Sequence, residues 1–290
     1  MPKTGQVKNV AIVVPVHISK LSEDEKISLK HLNRYLGHYD RYLVMPDKVE
    51  FALEGFKTIK FPKNMYGKYK MYNKRLLSKR FFQSFLSYEY ILIYHLDCLV
   101  FSDQLLFWCN KGYDYIGAPW PVNWIHLLGP LGRYTLIDYE AVGNGGFSLR
   151  KVKSALLVLE AYHRPLNLLK LNLLMFIRLV IRLIKSLKLA LSYLFSSKSL
   201  KNKTEKGTSF LKTIFEIENY SYSRNEDVFW SFEAKKFYPD FKIAKPEEAI
   251  SFSFETRPRD YFKRNNNKLP FGCHGWTKFD RDFWQEFLLM

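Results

Sequence analysis

The chain has 290 residues, enough for one large domain with a substantial core. With 47% hydrophobic and 25% charged residues its composition is globular, which excludes an intrinsically disordered chain. The net charge of +17, from 45 basic and 28 acidic residues, calls for a polyanionic neighbour: nucleic acid, anionic lipid or a phosphorylated substrate.

In chain order, the start (Met1-Pro2-Lys3-Thr4-Gly5-Gln6) has no signal-peptide apolar run. Residues 10–16 (VAIVVPV) form a β-branched run suited to a strand buried on both faces. A polar helix follows over about 22–36, with Ser22 and Glu25 in capping-box spacing. Strands are expected at 41–45 (RYLVM) and 57–61, then a helix over 69–86, whose Leu and Phe recur at helical spacing. Residues 90–94 (YILIY) read as a second fully apolar strand, and 113–116 as another. This alternation predicts an open α/β sheet, whose ligands bind beyond the carboxyl ends of the strands where strand order reverses. Aromatic residues, at 17%, suit a carbohydrate or nucleobase site without indicating one. The cysteines Cys98, Cys109 and Cys273 are odd in number and lack paired spacing, which argues against a disulfide framework and favours a reducing compartment. No apolar run of about 18 residues marks a membrane span.

The strand at 90–94 runs into His95-Leu96-Asp97. Two metal-competent side chains one residue apart at a strand end can point to the same side and hold Mg²⁺ or Mn²⁺. The same spacing suits a core histidine beside a turn-capping aspartate. Gly143-Asn144-Gly145-Gly146 brings backbone close to a ligand or forms a tight turn before a strand at 147–149. Glu226 and Asp227 open a helical stretch, where acids complement the amino-terminal dipole. Lys74, Arg75, Lys79 and Arg80 read mainly as a solvated helix face, with diphosphate contact as the other reading.

The segment 90–101 (YILIYHLDCLVF) resembles the DxD region of GT-A glycosyltransferases, with His95 at the first position and Asp97 at the second. It is also similar to a little-characterised group of bacterial glycosyltransferase-like proteins that carry Gln-x-Asp there. Residues 113–120 (YDYIGAPW), 142–150 (VGNGGFSLR), 225–230 (NEDVFW) and 271–276 (FGCHGW) follow in the order that group implies. The resemblance implies a GT-A-like (Rossmann-like) mixed, mainly parallel sheet flanked by helices, in a single domain over 1–290. It implies a metal, Mn²⁺ or Mg²⁺, at His95, Asp97 and His274. Donor contacts fall at Pro15, Val16, His17, Asp97, Asn144, Gly145 and Gly146. Asp227 becomes the general base and Glu226 an acceptor-binding residue, roles the two could exchange. His95 in place of a first Asp departs from a paired-carboxylate site. Cys273 beside His274 has no zinc-finger spacing.

Residues 165–209 read as an insertion. No acid occurs between Glu160 and Glu205. Lys170, Arg178, Arg182, Lys185 and Lys188 cluster on about one third of a helical wheel otherwise apolar. This pattern predicts docking of 165–195 on an anionic membrane surface, with internal packing as the other reading. The expected function is transfer of a sugar from a nucleotide-sugar donor to a surface glycan or lipid-linked acceptor, in the cytoplasm at the inner face of a membrane. The alternatives are a nucleotidyltransferase acting on a sugar phosphate and a non-enzymatic basic membrane or nucleic-acid adaptor. Nucleic acid is disfavoured, because the basic character concentrates in an apolar segment.

Overall fold

The computed structural model describes residues 8–17, 20–62, 73, 75–121, 124–127, 134–137, 141–164, 180, 184 and 225–289. The five cations of the basic apolar segment, Lys74 and the 196–209 stretch lie outside the described residues, and so does most of 165–195. Among the described residues no helix is long and apolar enough to cross a membrane.

In chain order the strands are β1 (Lys8–Pro15), β2 (Asp40–Pro46), β3 (Phe56–Phe61), β4 (Tyr88–Tyr94), β5 (Cys98–Val100), β6 (Tyr115–Ile116), β7 (Ala118–Trp120), β8 (Trp124–Leu127), β9 (Tyr134–Ile137), β10 (Ala141–Gly143), β11 (Phe147–Lys151), β12 (Ser253–Phe254) and β13 (Gly272–His274). Six of them form the central sheet, in the order β3-β2-β1-β4-β11-β6. β1 to β4 are mutually parallel, whereas β11 runs antiparallel to both β4 and β6. The expected α/β architecture with a mixed, mainly parallel sheet is thus the observed one. Strand order reverses between β1 and β4, so the crevice beyond their carboxyl ends is the switch point where such sheets bind ligands.

The alternation of side chains explains why these runs are strands. Val10, Ile12 and Val14 of β1 pack with Leu92 and Tyr94 of β4 and with Leu32 and Leu36 of the helix Glu23–Leu36. Ala11 and Val13 face the other way, into a core with Ile91, Ile93 and the helices Lys79–Gln83 and Val152–Tyr162. Both faces are covered, which is why the run is apolar throughout. The helix Glu23–Leu36 starts as its sequence predicts: Glu25 N–H donates to Ser22 Oγ at 3.3 Å and Ser22 N–H to Glu25 Oε2 at 2.7 Å. The helix expected over 69–86 is interrupted among the described residues. Asn73, Arg75 and Leu76 are helical, but Ser78 accepts from Phe81 N–H and starts a separate helix, Lys79–Gln83. A smaller sheet, β12-β13-β5, carries a third core with Phe254, Tyr261, Trp276 and Trp284.

At the amino-terminal end of the sheet, opposite the crevice, four strands meet at Asp40. Its carboxylate accepts from Lys8 Nζ (2.5 Å), Lys57 Nζ (2.8 Å) and Tyr88 Oη (2.8 Å), and Tyr88 Oη lies 2.8 Å from Tyr42 Oη. The Lys57 and Lys8 hydrogen bonds hold its carboxyl well below the usual carboxylate range. A depressed folded-state value stabilises the protein above the unfolded value near 4, and that gain is lost as pH falls. Asp40→Asn should therefore cost roughly 1–2 kcal/mol at pH 7, allowing for solvent screening at this partly exposed site. In urea unfolding the gap between wild type and variant should close as pH is lowered below about 4.

Candidate active site

The turn after β4 is held from several sides. His95 N–H donates to Gly146 O (2.9 Å) and Cys98 N–H to His95 O (3.0 Å), while Trp276 N–H donates to Asp97 O (3.2 Å). The buried Tyr94 hydroxyl lies within hydrogen-bond distance of the Ser28 and Cys98 carbonyls, fastening the turn to the first helix. Leu96 enters the core, leaving its neighbours His95 and Asp97 only partly covered. Antiparallel pairing of β13 with β5 sets His274 opposite Cys98, one residue beyond Asp97.

Ligand-capable atoms of His95, Asp97 and His274 consequently lie within 4.8 Å of one another. His274 Nε2 is 3.4 Å from Asp97 Oδ1, and its Nδ1 is 2.8 Å from Glu255 Oε1. The His95 and His274 rings meet edge to face at 5.6 Å. Burial, helped by the neighbouring His274, pushes the His95 imidazole down to about 3, so it is neutral at pH 7. For His274 burial acts downward, but the Glu255 hydrogen bond and the Asp97 charge outweigh it and raise its value. Asp97 Oδ1 is buried with no hydrogen-bond partner among the described residues. His274 Nε2 faces this oxygen, and the Asp97 side chain is 46% exposed, so the carboxylate is open to a cation at this point. Two imidazoles and a carboxylate suit a divalent ion, and 3.4 Å is a separation that two donors about 2.1 Å from one ion can keep. The residues fit a metal.

The glycine loop closes the other side. Asn144 adopts φ 112°, and its Oδ1 accepts from Gly146 N–H (2.8 Å) and Phe147 N–H (3.2 Å). Its Nδ2 is buried without an acceptor among the described residues. A Cβ on Gly146 would lie 2.2 Å from the His274 ring, and one on Gly145 would lie 2.6 Å from Glu226 Oε1. These glycines therefore leave room for the functional side chains themselves.

The acidic pair separates into two environments. Glu226 is almost wholly buried, and both its oxygens are taken by Arg150, at 2.6 Å from Nη1 and 2.9 Å from Nη2. Its backbone N–H donates to Asn73 Oδ1 (3.1 Å). Asp227 is half-buried, with Oδ1 accepting from Val228 N–H (2.8 Å). Burial first, then the charges of Glu226 and Glu255, push its carboxyl up to about 7. A turn of π-helix, Phe229–Glu233, follows directly, and its Ser231 hydroxyl lies 2.7 Å from Asp227 O and 2.5 Å from Val142 O. Such turns are frequent at functional sites.

The remaining expected residues lie at the neighbouring strand end. Continuing the β1–β4 register sets Pro15 level with His95. Val16 packs in the core, so only its backbone can face a donor, while His17 is exposed. Lys79 and Arg80 are exposed, as a solvated face requires, but Arg75 is a correction: it is buried, and its charge is felt at His95. Sequence reasoning also missed Glu255 and Arg150. Arg150 closes the motif at 142–150 that was read for its glycines, and nothing local flags Glu255. Truncating Glu226 would leave the buried Arg150 guanidinium without its carboxylate. Glu226→Ala should destabilise the fold by about 3–5 kcal/mol, measured by chemical unfolding.

The family model described as "Protein of unknown function (DUF5672)" matches residues 55–274. No curated protein matches the chain. Among solved structures, the apo form of the glycosyltransferase GlyE from Streptococcus pneumoniae TIGR4 aligns with 98% of this chain and 61% of its own, at 14% identity and a TM-score of 0.42. The chain thus spans about three fifths of that protein's length. The galactosyltransferase LgtC, in complex with donor and acceptor sugar analogs, aligns over 96% of this chain and 94% of its own, at 12% identity and a TM-score of 0.44. The bifunctional IspDF from Campylobacter jejuni aligns over 54% of this chain and 44% of its own, at 9% identity and a TM-score of 0.34. With the family model covering well over half of its length, the chain belongs to the DUF5672 family.

Proposed function

We propose that the protein is a glycosyltransferase that moves a sugar from a nucleotide-sugar donor to a glycan or lipid-linked acceptor. The observation that carries this reading is the meeting of His95, Asp97 and His274 beyond the switch point of the sheet, with the raised-pKa carboxylate of Asp227 within electrostatic reach. The ordered motifs from 90–101 to 271–276 support it.

In this reading His95, Asp97 and His274 hold a divalent cation, which when bound supplies charge neutralisation for the diphosphate leaving group. Two nitrogen donors favour Mn²⁺ over Mg²⁺, whose preference is for oxygen and retained water. Pro15, Val16 backbone and His17 border the donor at the end of β1. Asn144 offers Nδ2 to a donor hydroxyl, while Gly145 and Gly146 let the sugar approach the backbone. Asp227 removes the proton from the attacking acceptor hydroxyl, a role suited to a carboxyl that titrates near the operating pH. Glu226, held by Arg150, keeps Asp227 in place and raises its affinity for that proton. The five cations of residues 165–195, with no acid among them, support docking on an anionic membrane. Sedimentation with phosphatidylglycerol vesicles should bring the protein down at low salt and release it at high salt.

A nucleotide-sugar panel with Mn²⁺ tests the central reading. Release of a nucleoside diphosphate or monophosphate with glycosylated product supports it, and release of pyrophosphate from a nucleoside triphosphate would replace it with nucleotidyl transfer. Asp97→Asn should abolish the Mn²⁺-dependent turnover, and full turnover in a folded Asp97→Asn protein would sink the metal assignment. Asp227→Asn should lower turnover by roughly 10²–10⁴-fold. In wild type, activity should fall as pH drops through about 7 or slightly below, a bound cation drawing the value down. The raised value also sets a sign for stability. Ionised Asp227 is costly, so Asp227→Asn should be the more stable protein above about pH 7 and equal to wild type below about 4.

A further inference from the structure

We infer that Glu255 is a positioning residue of the metal site, fixing the tautomer and orientation of His274 so that Nε2 is the atom presented to the cation. The inference rests on the metal reading above and deepens it.

Three observations converge on the imidazole. β12 and β13 pair in parallel, with Ser253 opposite Gly272 and Phe254 opposite Cys273. One further step along that register sets Glu255 level with His274. The side chains meet there, with Oε1 2.8 Å from Nδ1 and both largely covered, at 15% and 19% exposure. The absence of a Cβ at Gly146 then leaves the slot in which the ring lies. A carboxylate can only accept, so Nδ1 carries the proton and donates it to Glu255. In the neutral ring the lone pair is consequently on Nε2, the nitrogen facing Asp97 Oδ1 at 3.4 Å. A carboxylate behind a ligating histidine fixes ring rotation and strengthens the donor, and removing such a partner typically weakens metal affinity about 10–100-fold. Glu255 reaches Nδ1, on the far side of the ring from Asp97, so its effect passes through His274.

The test is direct Mn²⁺ binding to the intact chain without nucleotide, by isothermal titration, for wild type, Glu255→Ala, Glu255→Gln, Glu255→Met and Asp97→Asn. Far-UV circular dichroism and the metal-free unfolding midpoint monitor the fold. Glu255→Ala should bind Mn²⁺ roughly 10–100-fold more weakly with its fold retained. Glu255→Gln should lose less, because its amide oxygen still accepts from Nδ1–H. If the alanine variant does not fold, Glu255→Met, which keeps the bulk but cannot accept from Nδ1–H, decides: measurably weaker binding supports the role and wild-type affinity overturns it. Wild-type affinity in the Glu255 variants, with binding lost in Asp97→Asn, would overturn the positioning role and leave the metal reading standing. Wild-type protein that takes up no Mn²⁺ would overturn both.

Discussion

The bidentate ion pair between Arg150 and Glu226 joins parts of the chain 76 residues apart, and the acidic side of the site depends on it. Arg150 sits on β11, paired with Ile91 of β4 on one side and Tyr115 of β6 on the other, and its guanidinium lies over the Tyr115 ring. In such a dry place two charges survive only when their hydrogen-bonding capacity is used. Arg150 achieves this with Ser148 and Glu226 together. A well-packed hydrophobic pair could be equally stable there. What the charges add is placement: Asp227 is held next to an immobile carboxylate, in an apolar setting that makes it basic.

The two ends of the sheet contrast in how they treat acids. At the amino-terminal end, Asp40 is surrounded by two lysines and two tyrosines, and its charge is favourable. At the carboxyl end Asp97, Glu255 and Asp227 approach one another, and the buried Arg150 is committed to Glu226. The first arrangement stabilises the fold, and at Asp227 the second costs stability, as sites that handle a charge or a proton commonly do.

Much of the scaffold was legible because local signals agreed with the global arrangement. The unbroken apolar runs of β1 and β4 follow from burial on both faces, and the Ser22–Glu25 box marked the first helix start within a residue. His95, Asp97 and His274 were legible as motif positions, though their meeting depends on β13 lying against β5 across more than 170 residues. Arg75 was misread because cations at 74, 75, 79 and 80 look like a solvated stripe, and no periodicity reveals that Ser78 interrupts it. Glu255 was invisible for a related reason. Its significance comes from the parallel register of two short strands, with an intervening helix and turn. The role of Glu226 was hidden by the 76 residues that separate it from Arg150 in sequence.

The empty space at Gly146 has a consequence for how the family can vary. An imidazole at 274 occupies the volume that any side chain at 146 would need. The two positions are therefore a single coupled character: a larger residue at 146 is tolerated only after 274 has shrunk or shifted. Divergence at either position alone passes through an overpacked intermediate, so sequences that abandon the histidine are the ones free to lose the glycine.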